Sequence, residues 1–410
     1  MPFAVLELND QSLLIQAADG LVHSEPGFAH LTDQGIETGE DARAVAWREP
    51  QHGYNQYWSQ LNETPLPSKE RWARHHADMA FAQLRHLWRS AGSPDTQLSL
   101  LLGMVAALPS DTSAIVDNAL AACLDIERDT LFVELQLHQC VLTVCGIRGR
   151  SVEITDQEVF TGLGHLQIQN SVARLISNLL IESHRHDPLY ASATEQAIYD
   201  QLPGWLIRLG WEEEVSTALP SEQGELPFIL RREDVAALVG ERLARIRSFL
   251  ARHPGCHSVL SHGSALLAGL AAEFAQATVA AQTAATGNCL SHQGEILAQV
   301  DGLYRVRALE LGEERGTASG TGERLATHVL YGDRAVPLGM PVSITLADDG
   351  VQLANRIDEG AALTVVLRNG SLETVHSAPG TDSSLPPACQ PGQAIVVDGH
   401  ELRLIEVESG

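Results

Sequence analysis

The sequence predicts an α/β fold followed by a small all-β sandwich, and three observations predict it. Residues 131–146, LFVELQLHQCVLTVCG, read as an apolar strand, a tight polar reversal and a second apolar strand, with another strand-like segment at Ser151 to Phe160 and a long helix behind it. Up to about residue 300, such strands alternate with segments whose apolar residues recur at helical spacing. Beyond it helical periodicity vanishes, tryptophan is absent, and short apolar runs alternate with Gly, Asp and Asn turns, the pattern of a sandwich. The expected division is therefore 1–300 and 301–410.

A chain of 410 residues, 44% hydrophobic and 19% charged, has enough apolar material for two or three cores. Its 52 acids against 27 bases leave a formal charge of −25, which repels DNA, RNA and anionic lipid, so no nucleic-acid partner is expected. The local group Arg231, Arg232, Arg242, Arg245 and Arg247 is interleaved with Glu233, Asp234 and Glu241 and reads as a solvated helix face. Six scattered cysteines without a CxxC pair read as buried thiols in a reducing compartment. The start Met1-Pro2-Phe3-Ala4-Val5-Leu6 lacks the pattern of a signal peptide, and no apolar run is long enough to span a membrane. A cytoplasmic protein is expected.

Along the chain, Ala4 to Leu8 and Ser12 to Gln16 flank Asn9-Asp10-Gln11 and suggest a hairpin, with a second turn at Asp19-Gly20. Gly39 to Ala44 looks like a helix start, and Gln51 to Pro67 like an ordered loop. Ser68 to Arg89 shows helical spacing with Ser68 as N-cap, and Trp72 and Trp88 read as core anchors. Thr96 to Leu108 is a continuous apolar run, expected of a strand covered on both faces. Asp111 to Leu124 is expected as a helix. Gly162-Leu163-Gly164-His165 precedes an amphipathic helix carrying Val172, Leu175, Ile176, Leu179 and Leu180. Ser183-His184-Arg185-His186-Asp187 is read as a polar helix terminus rather than a metal site, because two His at i and i+2 do not share a helix face. Ala193 to Ile207 is expected as a helix interrupted at Pro203-Gly204, Phe228 to Arg231 as a strand, Glu233 to Ala251 as one long helix, and Cys256 to Leu260 as a buried strand. Leu266 to Phe274 is expected as a helix. Gly312 to Gly322 reads as a flexible linker-like loop.

Three of these turns carry a resemblance. The strand ending in Glu134-Leu135, the hairpin entered by Glu7, and the turn Ser261-His262-Gly263-Ser264-Ala265 between a strand and a helix resemble the nucleotide-binding domain shared by sugar kinases, actins and the seventy-kilodalton heat-shock chaperones. The resemblance implies a two-lobed actin/chaperone-like ATPase fold over residues 3–295, with ATP and magnesium in the cleft. In that superfamily both phosphate loops are entered by Asp and built of Gly or hydroxyl residues. Here Glu7 and Glu134 replace the acids, while Asn9, Asp10 and Gln11 and then Gln136, Leu137 and His138 stand at the loop positions. Side chains crowd the space that Gly leaves open for phosphate, and a carboxylate facing phosphate without a metal between them is repulsive. His262 replaces a glycine of the adenosine turn, and Gly263 and Ser264 keep their places. The expected vestigial nucleotide cleft thus comprises Glu7, Asn9, Asp10, Glu134, Gln136, His138, His262, Gly263 and Ser264.

Tyr331 to Gly339 and Pro391 to Leu404 resemble the opening and closing strands of a forkhead-associated domain, a phosphothreonine reader. The Arg, Ser and His of that family do not fall at their spacing here; Arg356 and Arg368 are the nearest bases. The resulting expectation is a non-catalytic protein-binding or scaffolding protein, a pseudo-ATPase without cofactor. The alternative is an active ATPase with divergent loops that binds ATP and magnesium. A third reading, a hydrolase using His138, His262 and Ser264, lacks a Gly-x-Ser-x-Gly elbow.

Overall fold

The structure, a computed structural model, describes residues 4–17, 22–61, 65–66, 72–90, 114–210, 212–221, 224–265, 270, 274, 277–299, 305–311, 326–332, 334–338, 342–347, 350–354, 360–368, 371–378, 380–386 and 389–406. It is a mixed α/β chain with several sheets, and it divides into two compact units, Met1–Gly312 and Glu313–Gly410. Among the described residues no helix is long and apolar enough to cross a membrane.

The first unit opens with the expected hairpin. Strand β1 (Ala4–Glu7) pairs antiparallel with β2 (Leu13–Ala17), placing Glu7 opposite Leu14, and β3 (Val22–Glu25) extends the sheet. A second hairpin follows, β4 (Ala29–Thr32) with β5 (Gly35–Thr38). Its turn is tied by the Thr32 hydroxyl, which accepts from the Gln34 and Gly35 amides at 3.3 and 3.2 Å. Helix α1 (Glu40–Arg43) and the short strand β6 (Gly53–Tyr54), paired to β4, complete this part.

Helix α2 (His76–Ser90) starts later than its spacing suggested. The Asp78 carboxylate accepts from the backbone N–H groups of Arg74 and His75 and so fixes the entry at that point. The helix buries Met79, Ala80, Gln83, Leu84 and Leu87. Ser68, the expected cap, and the expected strand Thr96 to Leu108 lie outside the described residues. The expected helix over Asp111 to Leu124 contracts to α3 (Asn118–Ala122), because Ile115–Val116 is a strand, β7, and Asp117 caps the helix with its carboxylate on the Ala119 amide at 3.1 Å.

The stretch at 131–146 becomes the centre of a six-stranded sheet. Strands β8 (Thr130–Leu135), β9 (Gln139–Arg148) and β10 (Ser151–Thr161) form an antiparallel meander, and all six residues of β8 are buried, as expected of a strand with neighbours on both edges and both faces. Helix α4 (His165–His184) and helix α5 (Ser192–Arg208) follow. The expected break in α5 does not occur: Pro203 lies inside the helix, where burial of Ile198, Tyr199, Leu202, Trp205 and Leu206 outweighs the single backbone donor that proline removes. Strand β11 (Glu214–Ser221) pairs with β12 (Gly224–Arg231) in a two-stranded ribbon that accepts Pro220 and Pro227, since each strand there is an edge. The long helix expected over Glu233 to Ala251 is divided into α6 (Arg232–Leu243), a 3-10 turn at 244–246 and α7 (Arg247–Arg252).

Strand β13 (His257–Leu260) then runs parallel to β8, the short helix α8 (His262–Ala265) turns away, and β14 (Thr278–Val279) adds parallel to β13. Helices α9 (Ala284–Ser291) and α10 (Gln293–Gln299) lead to β15 (Arg305–Val306), which pairs with β7, and to β16 (Ala308–Glu310), the far edge beside β10. The sheet order is β14-β13-β8-β9-β10-β16. Its largest apolar cluster joins β8 and β9 to α4, α5 and α6 through Leu135, Leu142, Ile176, Leu202 and Val239.

The second unit holds two antiparallel sheets. One joins β17 (His328–Tyr331), β18 (Arg334–Pro337), β23 (Ser383–Ser384), β24 (Ala394–Val397) and β25 (His400–Ile405). The other joins β19 (Val342–Ala347), β20 (Gly350–Ala354), β21 (Leu363–Arg368) and β22 (Ser371–Ser377). Val329, Leu402 and Leu404 of the first share one core with Ile344, Leu363 and Val365 of the second. The β24–β25 reversal uses Asp398 and Gly399 at φ 45° and 82°, the left-handed pair that a two-residue hairpin requires. Arg356 and the linker-like Gly312 to Gly322 lie outside the described residues, and Arg368 ends β21 opposite Ser371.

Candidate functional site

Glu134 sits one residue from the end of β8, and three polar turns meet beside it. The β1–β2 tip reaches the turn after β8: the Leu137 amide donates to Asp10 Oδ1 at 2.6 Å. The turn after β13 reaches the same strand: the Leu135 amide donates to Ser264 Oγ at 2.7 Å, and Ser264 Oγ lies 2.6 Å from Ser261 Oγ. The two outer turns touch each other, for a Cβ on Gly263 would meet Gln11 Oε1 at 2.0 Å. Glu7, Asn9, Asp10, Glu134, Gln136, Gly263 and Ser264 are thus gathered in one place from three parts of the chain. His138 is not. Its Nε2 donates to the Asn55 carbonyl at 2.8 Å and its Nδ1 accepts from Gln167 Nε2 at 3.2 Å, which fixes the tautomer and ties the ring between a loop and α4.

The tip is held from both sides. The Asp10 carbonyl accepts from Gly27 N at 2.8 Å, and a Cβ on Gly27 would fall 2.6 Å from that oxygen, so only glycine allows the approach. Asn9 folds back on its own turn, its Oδ1 accepting from Gln11 N at 3.0 Å, an Asx turn. After β8, Gln136 N donates to the Gln139 carbonyl, while the side chains form a chain from Gln139 through Gln136 to Glu134 Oε1 at 2.6 and 2.9 Å. The amides of Gln11, Gln136 and Leu137 therefore have partners within the fold.

Two acids face each other across this junction. Burial and the charge of Glu134 push the Glu7 carboxyl up to about 7, against a hydrogen bond from Asn118 that opposes the shift. Glu134 is also raised by burial, against hydrogen bonds from Gln136 and Asn118. Asp10 is raised by burial too, though its bond from the Leu137 amide and the nearby His138 oppose the shift. Asn118, whose Nδ2 donates to Glu7 Oε1 at 3.1 Å, was not among the expected site residues. Its signal in the sequence is only Asp117-Asn118 at a helix start, which says nothing about a partner 111 residues away.

Neither protein-family models nor curated proteins give a match to this chain.

A cavity of ≈180 Å³ opens beside the acids, with Glu7, Asn9, Gln11, Ser12, His262 and Gly263 among its polar lining residues and Leu14, Phe132 and five alanines as its apolar ones. Pockets that bury a drug-sized ligand begin at about 300 Å³. No Lys or Arg is among its described lining residues. Burial lowers the His262 pKa, which favours a neutral ring. Ser264 is fully buried and its hydroxyl is committed to Ser261 and the β8 backbone, a poor position for a nucleophile. At the end of α4, His184 Nε2 donates to the Pro227 carbonyl while Asp187 accepts from Ser177 and the Leu189 amide, so these groups cap and brace the helix. Among the basic group, Arg242 donates to Ser171, Arg232 to the Leu209 and Glu212 carbonyls, and Arg245 to the Thr161 carbonyl.

Proposed function

We propose that this chain is a non-catalytic protein-binding or scaffolding protein, whose first unit is an actin/chaperone-like nucleotide fold with a disabled pocket and whose second is a forkhead-associated-like adaptor. One observation carries the reading: the Asp10 carboxylate occupies the Leu137 amide that would otherwise be offered to a phosphate. A fixed internal anion at 2.6 Å competes with any incoming one by charge and by volume. Glu7 and Glu134 add to the negative potential, and the adjoining cavity is smaller than a triphosphate-bearing nucleotide requires. With its phosphate amides used internally, such a unit keeps its shape without turnover, which suits a role in holding partner proteins.

The alternative, an active ATPase with ATP and Mg²⁺, has in its favour that Glu7 and Glu134 face each other closely enough to interact, as two carboxylates sharing a cation would. Isothermal titration of the full chain with ATP in the presence and absence of Mg²⁺ separates the two. The expected result is no saturable heat in either; a magnesium-dependent isotherm would overturn the scaffold reading.

A further inference from the structure

Three polar groups around the cavity are left without partners. Glu7 Oε1 accepts from Asn118, but Oε2 has no hydrogen-bond partner among the described residues. Asn9 is 5% exposed and its Oδ1 is used within its own turn, yet its amide nitrogen donates to none of them. Neither ring nitrogen of His262 is engaged by a described residue. Asn9 is buried, while Glu7 and His262 are partly exposed at the cavity wall; a carboxylate acceptor, an amide donor and an uncharged imidazole converging on one apolar-backed cavity outline a complementary molecule.

We propose that the cavity binds a small primary amine bearing a hydroxyl or carbonyl group, with its ammonium on Glu7, its oxygen on the Asn9 amide and its apolar body against Leu14 and Phe132. The assignment rests on the reading that no nucleotide fills this cleft. Charge excludes an anion, because Glu7, Asp10 and Glu134 lie together and no base lines the cavity. A bare divalent ion fits poorly: Mg²⁺ demands six oxygens in near-octahedral array, whereas half of this wall is Phe132, Leu14 and alanine. The apolar half calls for a carbon body, and the unpaired Asn9 donor calls for an oxygen on it. An engineered apolar cavity of about 150 Å³ holds benzene, so the ≈180 Å³ here admits a ring or short chain with its polar head toward Glu7.

The test is calorimetric titration of the full chain with 2-amino-1-phenylethanol. The titratable groups facing Glu7 are Glu134 on β8, Cys289 on α9 and His262 on α8. Glu7 must be ionised to hold the ammonium and gains its proton near 7, so affinity should fall about tenfold from pH 8 to pH 6, with close to one proton released per ligand bound at pH 6. Phenethylamine, lacking the hydroxyl, should bind several-fold more weakly, and Glu7→Gln should lose at least tenfold. The pH arm uses the unaltered chain, so it stands even if the variant misfolds. Absence of saturable binding, or binding indifferent to pH, overturns the assignment. An Mg-ATP titration of the same sample keeps the two readings apart: silence toward both ligands removes only the amine, whereas magnesium-dependent ATP binding removes the scaffold reading and the amine assignment together.

Discussion

At the scale of single residues, the junction beside Glu134 is set by which polar group reaches which amide. The Leu135 amide donates to Ser264 Oγ in a fully buried position, so Ser264→Ala takes that acceptor away. The expected loss is about 1–3 kcal/mol, read from the urea midpoint at constant slope. Glu7 gives a pH signature. The fold keeps its proton up to about 7, while an unfolded chain releases it near 4.5, so the folded state binds more protons between these values. The contribution of Glu7 to stability is therefore greatest below 4.5, falls as pH rises through that window, and is lost in full, on the order of 3 kcal/mol, above pH 7. Urea titrations from pH 4.5 to 8 should show this decline, and Glu7→Gln should flatten it, leaving what Glu134 contributes. A variant as steep as the parent would show that Glu7 is not the group responsible.

At the scale of elements, α4 is seated by a glycine. A Cβ at Gly164 would meet the His138 carbonyl carbon and the Leu137 oxygen at 2.4 Å, and these are backbone atoms of the turn that carries the Asp10 bond. The turn is tied further to the helix start, with His165 N donating to the Gln136 carbonyl and Leu166 N to that of Leu137. Gly164→Ala should push the helix off the turn and cost about 3 kcal/mol or more, at the upper end of overpacking effects, with a lowered melting temperature. Gly162, two residues earlier at φ 69°, has open space around its missing Cβ. The two glycines of one short motif thus serve different ends, one giving clearance and the other a left-handed backbone.

At the scale of the whole molecule, the two units have separate apolar cores. Ile344 is fully buried in the core of the second unit. Ile344→Ala should destabilise that unit by about 2–5 kcal/mol. Scanning calorimetry should then show one transition moved to lower temperature and the transition of the first unit unchanged. A single transition moving as a whole would mean that the units do not unfold independently.

Much of this was legible in the residues. Alternating apolar runs located β8, β9 and β10, short apolar runs between turn residues marked the second unit as strands, and the polar tip Asn9-Asp10-Gln11 announced a hairpin, because strand and turn preferences are local properties of the chain. The excess of acids was also fixed there. Helix limits were less so: Asp78 and Asp117 set where α2 and α3 begin, and Pro203 was absorbed by packing that no local pattern reveals. The pairing of Asp10 with Leu137 across 127 residues, of Asn118 with Glu7 across 111, and the diversion of His138 to Asn55 were decided only by the folded chain. A side chain's partner depends on sheet register and on which turns are brought to one edge, and those follow from burial of the entire core rather than from neighbours in sequence.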